Sequence, residues 1–337
     1  MCSTTASVII DLSKAANALR NGQLVAFPTE TVYGLGADAT SSAAVARIFE
    51  AKQRPSFDPL IVHIASQQQL PQVVQIFPDV ARRLADHFWP GPLTMVLPRS
   101  ASIPDLVTSG LPGVGVRIPA HPIARKLLEL TDRPIAAPSA NPFGRISPTT
   151  TAHVLQGLGD RIDFVVEGGP CGVGLESTVI SLMQEQPLLL RHGGIPLESI
   201  EQIVGTIAVA VPNSSADDAA QPAPGMLSRH YAPRKPLILL PHEARAIPVS
   251  GQKCGLLTES TRTWDDGFSQ ILLLHSDTNP DIGVRLQTCA ANFFAMMRAL
   301  DSADLDVIIA HEFPEVGLGR ALNDRLRRAA AGSRHAS

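Results

Sequence analysis

Between an apolar run at 23–27 and a helical pattern over 41–53, the chain reads Pro28-Thr29-Glu30-Thr31-Val32-Tyr33-Gly34-Leu35-Gly36. Two threonine hydroxyls, a carboxylate and a phenol lie there beside two glycines. As a strand-to-helix turn, this segment has the groups to fix a small polar ligand, and its glycines let backbone approach closely. Lys52-Gln53-Arg54-Pro55-Ser56-Phe57-Asp58-Pro59 follows the helix. Its two cations precede a proline-constrained loop, an arrangement that suits a polyphosphate or carboxylate, although cations at a helix end also simply favour the helix dipole. Arg117 lies inside the apolar run 114–118, where a guanidinium is costly unless paired, either with a buried Asp or Glu or with a ligand carboxylate.

Further polar groups sit at strand ends. Ser139-Ala140-Asn141 is flanked by Pro138 and Pro142, which makes a rigid hydrogen-bonding corner after the small-residue strand ending at Ala137. Glu176-Ser177-Thr178 and Arg191-His192-Gly193-Gly194 are glycine-associated turns of the kind whose amides bind phosphate, and also of the kind that merely reverse the chain. Ser147 stands in a helix N-cap region, and His63 inside 60–64 reads on its own as a satisfied core histidine.

The elements that must position these groups alternate between strand and helix. Apolar strands are expected at 60–64, 93–97, 114–118, 135–137, 164–166, 178–182 and 188–190, and helices at 12–21, 79–88, 122–130, 149–158 and 197–204. Asp11 is placed to cap the first helix and Gly22 to stop it. The order predicts an α/β domain with a mixed sheet over 1–205. A Pro-, Ala- and Ser-rich linker over 206–235 carries His230-Tyr231-Ala232-Pro233 at its end, too many large side chains for a spacer. A second, smaller α/β domain over 236–331 is predicted to be a Rossmann-like parallel sheet, without a Gly-x-Gly-x-x-Gly turn to support nucleotide binding there.

With 337 residues and 45% hydrophobic content, the chain can bury the cores of two domains. Its 28 basic and 31 acidic residues give a net charge of -3, which argues against a general polyanion binder. Cys2, Cys171, Cys254 and Cys289 show no Cys-x-x-Cys spacing, so a structural zinc site is not expected, and their scatter fits a reducing compartment. No secretory signal or bilayer-spanning run is apparent, so the expected location is cytoplasmic, without membrane attachment.

Taken in order and spacing, the Pro28-to-Gly36 turn, Lys52-x-Arg54-Pro55, Ser139-Ala140-Asn141 and Ser177-Thr178-Val179 resemble the threonylcarbamoyl-AMP synthase family, with its YrdC-like twisted mixed sheet. The linker and second domain resemble its longer, two-domain branch. That resemblance implies condensation of L-threonine, bicarbonate and ATP to threonylcarbamoyl-AMP and pyrophosphate, with Mg2+ accompanying ATP. It further implies transient delivery of the product to a tRNA threonylcarbamoyl transferase complex. Thr31, His63, Arg117, Ala137 and Ser177 match positions that hold threonine, Ala137 through its backbone. Arg54, Asp58, Ser139, Ser147 and Arg191 match positions that contact ATP, as does Gly113, where the family often has Thr. Lys52 and Arg54 match the catalytic cationic step, and Tyr231 a linker tyrosine that closes over the nucleotide. A double-stranded RNA-binding module using the same cationic concavity is the competing expectation. The near-neutral charge speaks against it.

Overall fold

The computed structural model describes residues 5–211, 221, 223–226, 229–259, 267–275 and 279–333. Most of the linker stretch beginning at Pro212 therefore lies outside the described residues, whereas Tyr231 lies within them. The chain packs into two units. The first comprises Met1–Phe143, Ser147–Gly172 and Glu176–Leu227; the second comprises Gly144–Ile146, Val173–Leu175 and Ser228–Ser337.

The strands of the first unit are β1 (Ser7–Ile9), β2 (Val25–Phe27), β3 (Gly34–Asp38), β4 (Ile61–His63), β5 (Leu93–Pro98), β6 (Gly113–Arg117), β7 (Ile135–Ala136), β8 (Phe164–Val166), β9 (Thr178–Ser181), β10 (Leu188–Arg191) and β11 (Ala208–Val209). Its helices are α1 (Leu12–Arg20), α2 (Ser42–Lys52), α3 (Leu70–Val73), α4 (Asp79–Phe88), α5 (Asp105–Thr108), α6 (Pro122–Thr131), α7 (Thr151–Leu158) and α8 (Leu197–Val204). Among the described residues the strands form one mixed sheet in the order β1-β8-β2-β3-β7-β4-β6-β5-β9-β10-β11. Local chemistry accounts for the helix ends: Asp11 accepts from Ser13 and Lys14 at the start of α1, Ser41 accepts from Ala44 at the start of α2, and Gln53 turns left-handed (φ 52°) to end α2. Strands β2 and β4 are fully buried, and their apolar residues share buried clusters with Leu19, Ile48, Leu84 and Leu127 of the helices.

One expectation needs correction. The segment after Phe27 does not lead directly into a helix: residues 34–38 form β3, antiparallel to β2, with Phe27 opposite Gly34 and Val25 opposite Gly36. A Cβ on Gly36 would lie 2.8 Å from the Phe27 ring, so the glycine that reads as a turn signal is needed for close sheet packing.

The second unit holds β12 (Leu237–Leu240), β13 (Cys254–Thr258), β14 (Gln270–Leu273) and β15 (Val307–His311), all parallel, in the order β12-β15-β13-β14. Helices α9 (Ile282–Ser302) and α10 (Gly319–Ser333) accompany them. Leu286, Phe293 and Met297 line the buried face of α9, as its periodicity predicts. No helix among the described residues is long and apolar enough to cross a membrane.

Candidate active site

The sheet order sets the site. Strands β4, β6, β5 and β9 are consecutive neighbours, and His63 stands opposite Arg117 in parallel register. Each nitrogen of the Arg117 guanidinium donates: Nε to the Gly91 carbonyl (3.1 Å), Nη1 to the Thr31 hydroxyl (2.9 Å) and Nη2 to the Glu30 carboxylate (2.5 Å). Of the two partners open to Arg117 in the sequence, the structure supplies a glutamate, half-buried with its side chain 14% exposed. Burial pushes the Glu30 carboxyl up, but Arg117 outweighs it and holds the group below the ordinary carboxylate range. Burial drives the His63 imidazole down to about 3, with Arg117 adding to the effect, so the ring is neutral at physiological pH. Ala137 lies beside this group and donates its amide to the Ile61 carbonyl (2.9 Å). A backbone contact from Ala137 to a ligand would therefore run through its carbonyl.

The Ser139–Asn141 corner is tied to the 28–36 turn. Gly34 bridges to Ser139, Leu35 donates to the Pro138 carbonyl, and Ala140 donates to the Tyr33 carbonyl. Lys52, at the end of α2, is buried and donates its ammonium to the Ser139 and Asn141 carbonyls. Burial lowers its pKa well below the ordinary lysine range, and the nearby Arg54 adds to this. The lysine thus braces the corner from within.

Arg54 and Asp58 form an ion pair (2.9 Å) with side chains only 3% and 0% exposed. Arg54 also donates to the Asp58 and Pro59 carbonyls. Burial pushes the Asp58 carboxyl up, against the pull of Arg54, Lys52 and Arg191. At the end of β10, Arg191 donates through Nε and Nη2 to the Ser177 carbonyl and through Nη2 to the Ser177 hydroxyl (3.2 Å). Ser177 also bonds Thr94 (2.8 Å), and Ser147 donates to Glu176 beside it (2.5 Å).

Two groups therefore converge. One joins Thr31, His63, Arg117 and Ala137 with Glu30; the other joins Lys52, Arg54, Asp58, Ser139 and Arg191, with Ser177 held by Arg191 and Ser147 by Glu176. Gly113 opens β6 at the end remote from Arg117, and a Cβ there would meet Val96 at 2.9 Å and the Met183 sulfur at 3.0 Å. Tyr231 lies in the second unit, buried beside Phe294 with the Arg325 guanidinium over its ring. Thr94 was missed by the sequence reading, although a lone polar residue in the run 93–97 was a usable signal. For a metal, the described residues offer no group of three or more His, Cys, Asp or Glu side chains. The carboxylate of Asp58 is already committed to Arg54.

Known proteins match the chain along most of its length. Residues 17–193 match the Sua5/YciO/YrdC family, described as "Telomere recombination", and residues 195–331 match "Threonylcarbamoyl-AMP synthase, C-terminal domain". The chain is 45% identical to the threonylcarbamoyl-AMP synthase of Pyrococcus abyssi, over 94% of this chain and 92% of that protein. It is 42% identical to the Bacillus subtilis protein of the same name, over 95% and 93%. Among solved structures, that of P. abyssi Sua5 complexed with L-threonine is similar, with a TM-score of 0.86, 40% identity and 98% of both chains covered.

Proposed function

The chain belongs to the threonylcarbamoyl-AMP synthase family, and from that membership we infer that it condenses L-threonine, bicarbonate and ATP into threonylcarbamoyl-AMP, pyrophosphate and water. The observation that carries this reading is identity to named synthases along nearly the whole of both chains, second domain included. The chain is thus a nucleotidyl-transferring enzyme.

The site chemistry fits such a reaction. Three anions must meet, and each repels the others. In our reading, threonine occupies the pocket of Thr31, His63, Arg117, Ala137 and Ser177. ATP lies along Arg54, Asp58, Gly113, Ser139, Ser147 and Arg191. The charge of Lys52, Arg54 and Arg191 offsets the repulsion as the carbamate of threonine attacks the α-phosphate. No covalent nucleophile is required; positioning and charge stabilisation carry the step. Burial supports this reading. Thr31, His63, Arg117 and Ser177 are each at most 3% exposed, and a labile carbamate and adenylate survive only where water is excluded. Mg2+ enters as the counter-ion of the triphosphate, and we assign it no protein ligand. The product passes to a separate tRNA-modifying transferase in the cytoplasm through a transient encounter.

The double-stranded RNA reading finds no support. Lys52, Arg54, Arg117 and Arg191 are each at most 7% exposed, and buried cations cannot line a groove for a duplex backbone. The test of function is pyrophosphate release from ATP. It should require both threonine and bicarbonate, and release that continues undiminished without threonine would refute the assignment.

A further inference from the structure

A second cluster of cations stands at the end of α2 remote from Lys52. Arg20, Asp38, Ser41, Ala43, Arg47 and Arg133 line a cavity of about 520 Å3 there. Arg20 ends α1, Arg47 lies on α2 and Arg133 follows α6, so three separate elements bring a guanidinium to one space. Each is fixed by the fold. Arg20 donates to the Leu130 carbonyl and the Asn17 side chain, Arg47 to the Gly22 carbonyl (2.8 Å) and Asp163 (2.9 Å), and Arg133 to Asp38 (2.6 Å). Asp38 is only 2% exposed, and its other oxygen accepts from the amide and hydroxyl of Thr40. Arg20 has no carboxylate partner among the described residues. A guanidinium carries five N–H donors, and these contacts use two on Arg20, two on Arg47 and one on Arg133.

The cavity is separate from the active site. Helix α2 runs from Ser41 at the cavity to Lys52 at the Ser139 corner, and β3 runs from the corner, where Gly34 bridges to Ser139, to Asp38 at the cavity. The 11 residues of α2 put about 16 Å between the two. Three guanidiniums meet two carboxylates, Asp38 and Asp163, which leaves one positive charge uncompensated among these groups. A phosphate group has three terminal oxygens to offer three guanidinium forks; a carboxylate has only two. We propose that this cavity is a second anion site, which takes the phosphate group of a small phosphorylated molecule between Arg20, Arg47 and Arg133. Asp38 is a positioning residue that aims Arg133. A nucleic-acid backbone suits the cavity less well, because it calls for a row of cations along an open face, and here the cations share one cavity with a carboxylate.

The test is calorimetric titration of the full-length protein with inorganic pyrophosphate, comparing the wild type with Ala43→Glu. Ala43 is exposed in the first turn of α2, where an added carboxylate favours the helix, so the fold should hold while the cavity gains a repelling charge. Ala43→Glu should lose one bound equivalent relative to the wild type, with the KM values for ATP and threonine unchanged. Arg133→Ala should weaken that equivalent about 10- to 100-fold. Arg133→Lys, which keeps the charge but not the fork, should recover only part of it. Equal pyrophosphate binding by the wild type and Ala43→Glu refutes the proposal, whether or not Arg133→Ala folds. So does a rise in the KM for ATP that accompanies the lost equivalent, because the anion would then have been bound at the active site. Acetate that displaces the equivalent as well as pyrophosphate does overturns the phosphate assignment. A single-stranded oligonucleotide that binds through Arg133 where pyrophosphate does not overturns it too, in favour of a nucleic-acid contact.

Discussion

Replacing Arg54 by alanine should damage the fold as well as the chemistry, and the structure sets the size of the effect. The Arg54–Asp58 pair is closed to solvent on both sides. Neither Asp58 carboxylate oxygen has a hydrogen-bond partner, so the 2.9 Å ion pair is its close stabilising contact. Truncating Arg54 leaves a buried carboxylate without its ion-pair partner. Breaking one side of a buried pair typically costs about 3–5 kcal/mol. At roughly 2–4 °C per kcal/mol for a domain of this size, the melting temperature of the first unit should fall by about 6–20 °C. The loss should shrink on acidification. Burial raises the Asp58 pKa in the folded state above its unfolded value, so the penalty falls on the charged form and is relieved as pH drops through the folded pKa. The double variant Arg54→Ala with Asp58→Ala should recover much of the stability, since no orphaned charge remains, yet still show a raised KM for ATP. Circular-dichroism melts at two pH values and ATP kinetics measure all of this. An Arg54→Ala protein that melts with the wild type would show that the pair does not hold the loop, and the reasoning would fail.

Three other outcomes are expected. His63 has a folded pKa of about 3, below its unfolded value, so its contribution to stability is complete above the unfolded pKa and is lost as pH falls from there toward 3. His63→Asn should flatten that part of a stability-versus-pH curve measured by urea titration. Gly113→Thr, which installs the family's commoner residue, should destabilise by about 1–3 kcal/mol through the clash with Val96 and Met183. Pairing it with Met183→Ala should return part of that in a thermal melt. Gly193→Ala should abolish the ordered site, because its Cβ would lie 2.3–2.4 Å from the backbone of residues 176–178; normal KM values for both substrates would contradict this.

How far the sequence carried depends on where each partner lies. The alternation of strands and helices, the Asp11 cap and the parallel second sheet follow from local pattern, so they were legible. Lys52 was read as a cation facing phosphate, a role its chain position cannot settle. In the fold its ammonium turns to carbonyls of Ser139 and Asn141, which local sequence could not place beside it. Arg117 announced by its apolar neighbours that it needed a partner, but Glu30 reaches it only because β3, β7, β4 and β6 lie side by side. Gly34 and Gly36 misled for a physical reason: glycine marks both turns and close strand packing, and only the facing Phe27 ring tells which.

The strand order also has a consequence for the order of synthesis. Strand β1 pairs with β8, β7 separates β3 from β4, and β5 pairs with β9. Adjacent ribbons are thus made far apart in time on the ribosome. A nascent chain released before Arg191 lacks the residue that grips Ser177, however much of the sheet has already collapsed. Long-range pairing of this kind makes folding slow and leaves unpaired edges exposed meanwhile. Truncations short of residue 191 should therefore yield aggregation-prone chains rather than weak enzymes, and dependence on chaperones should be greatest just before that residue emerges.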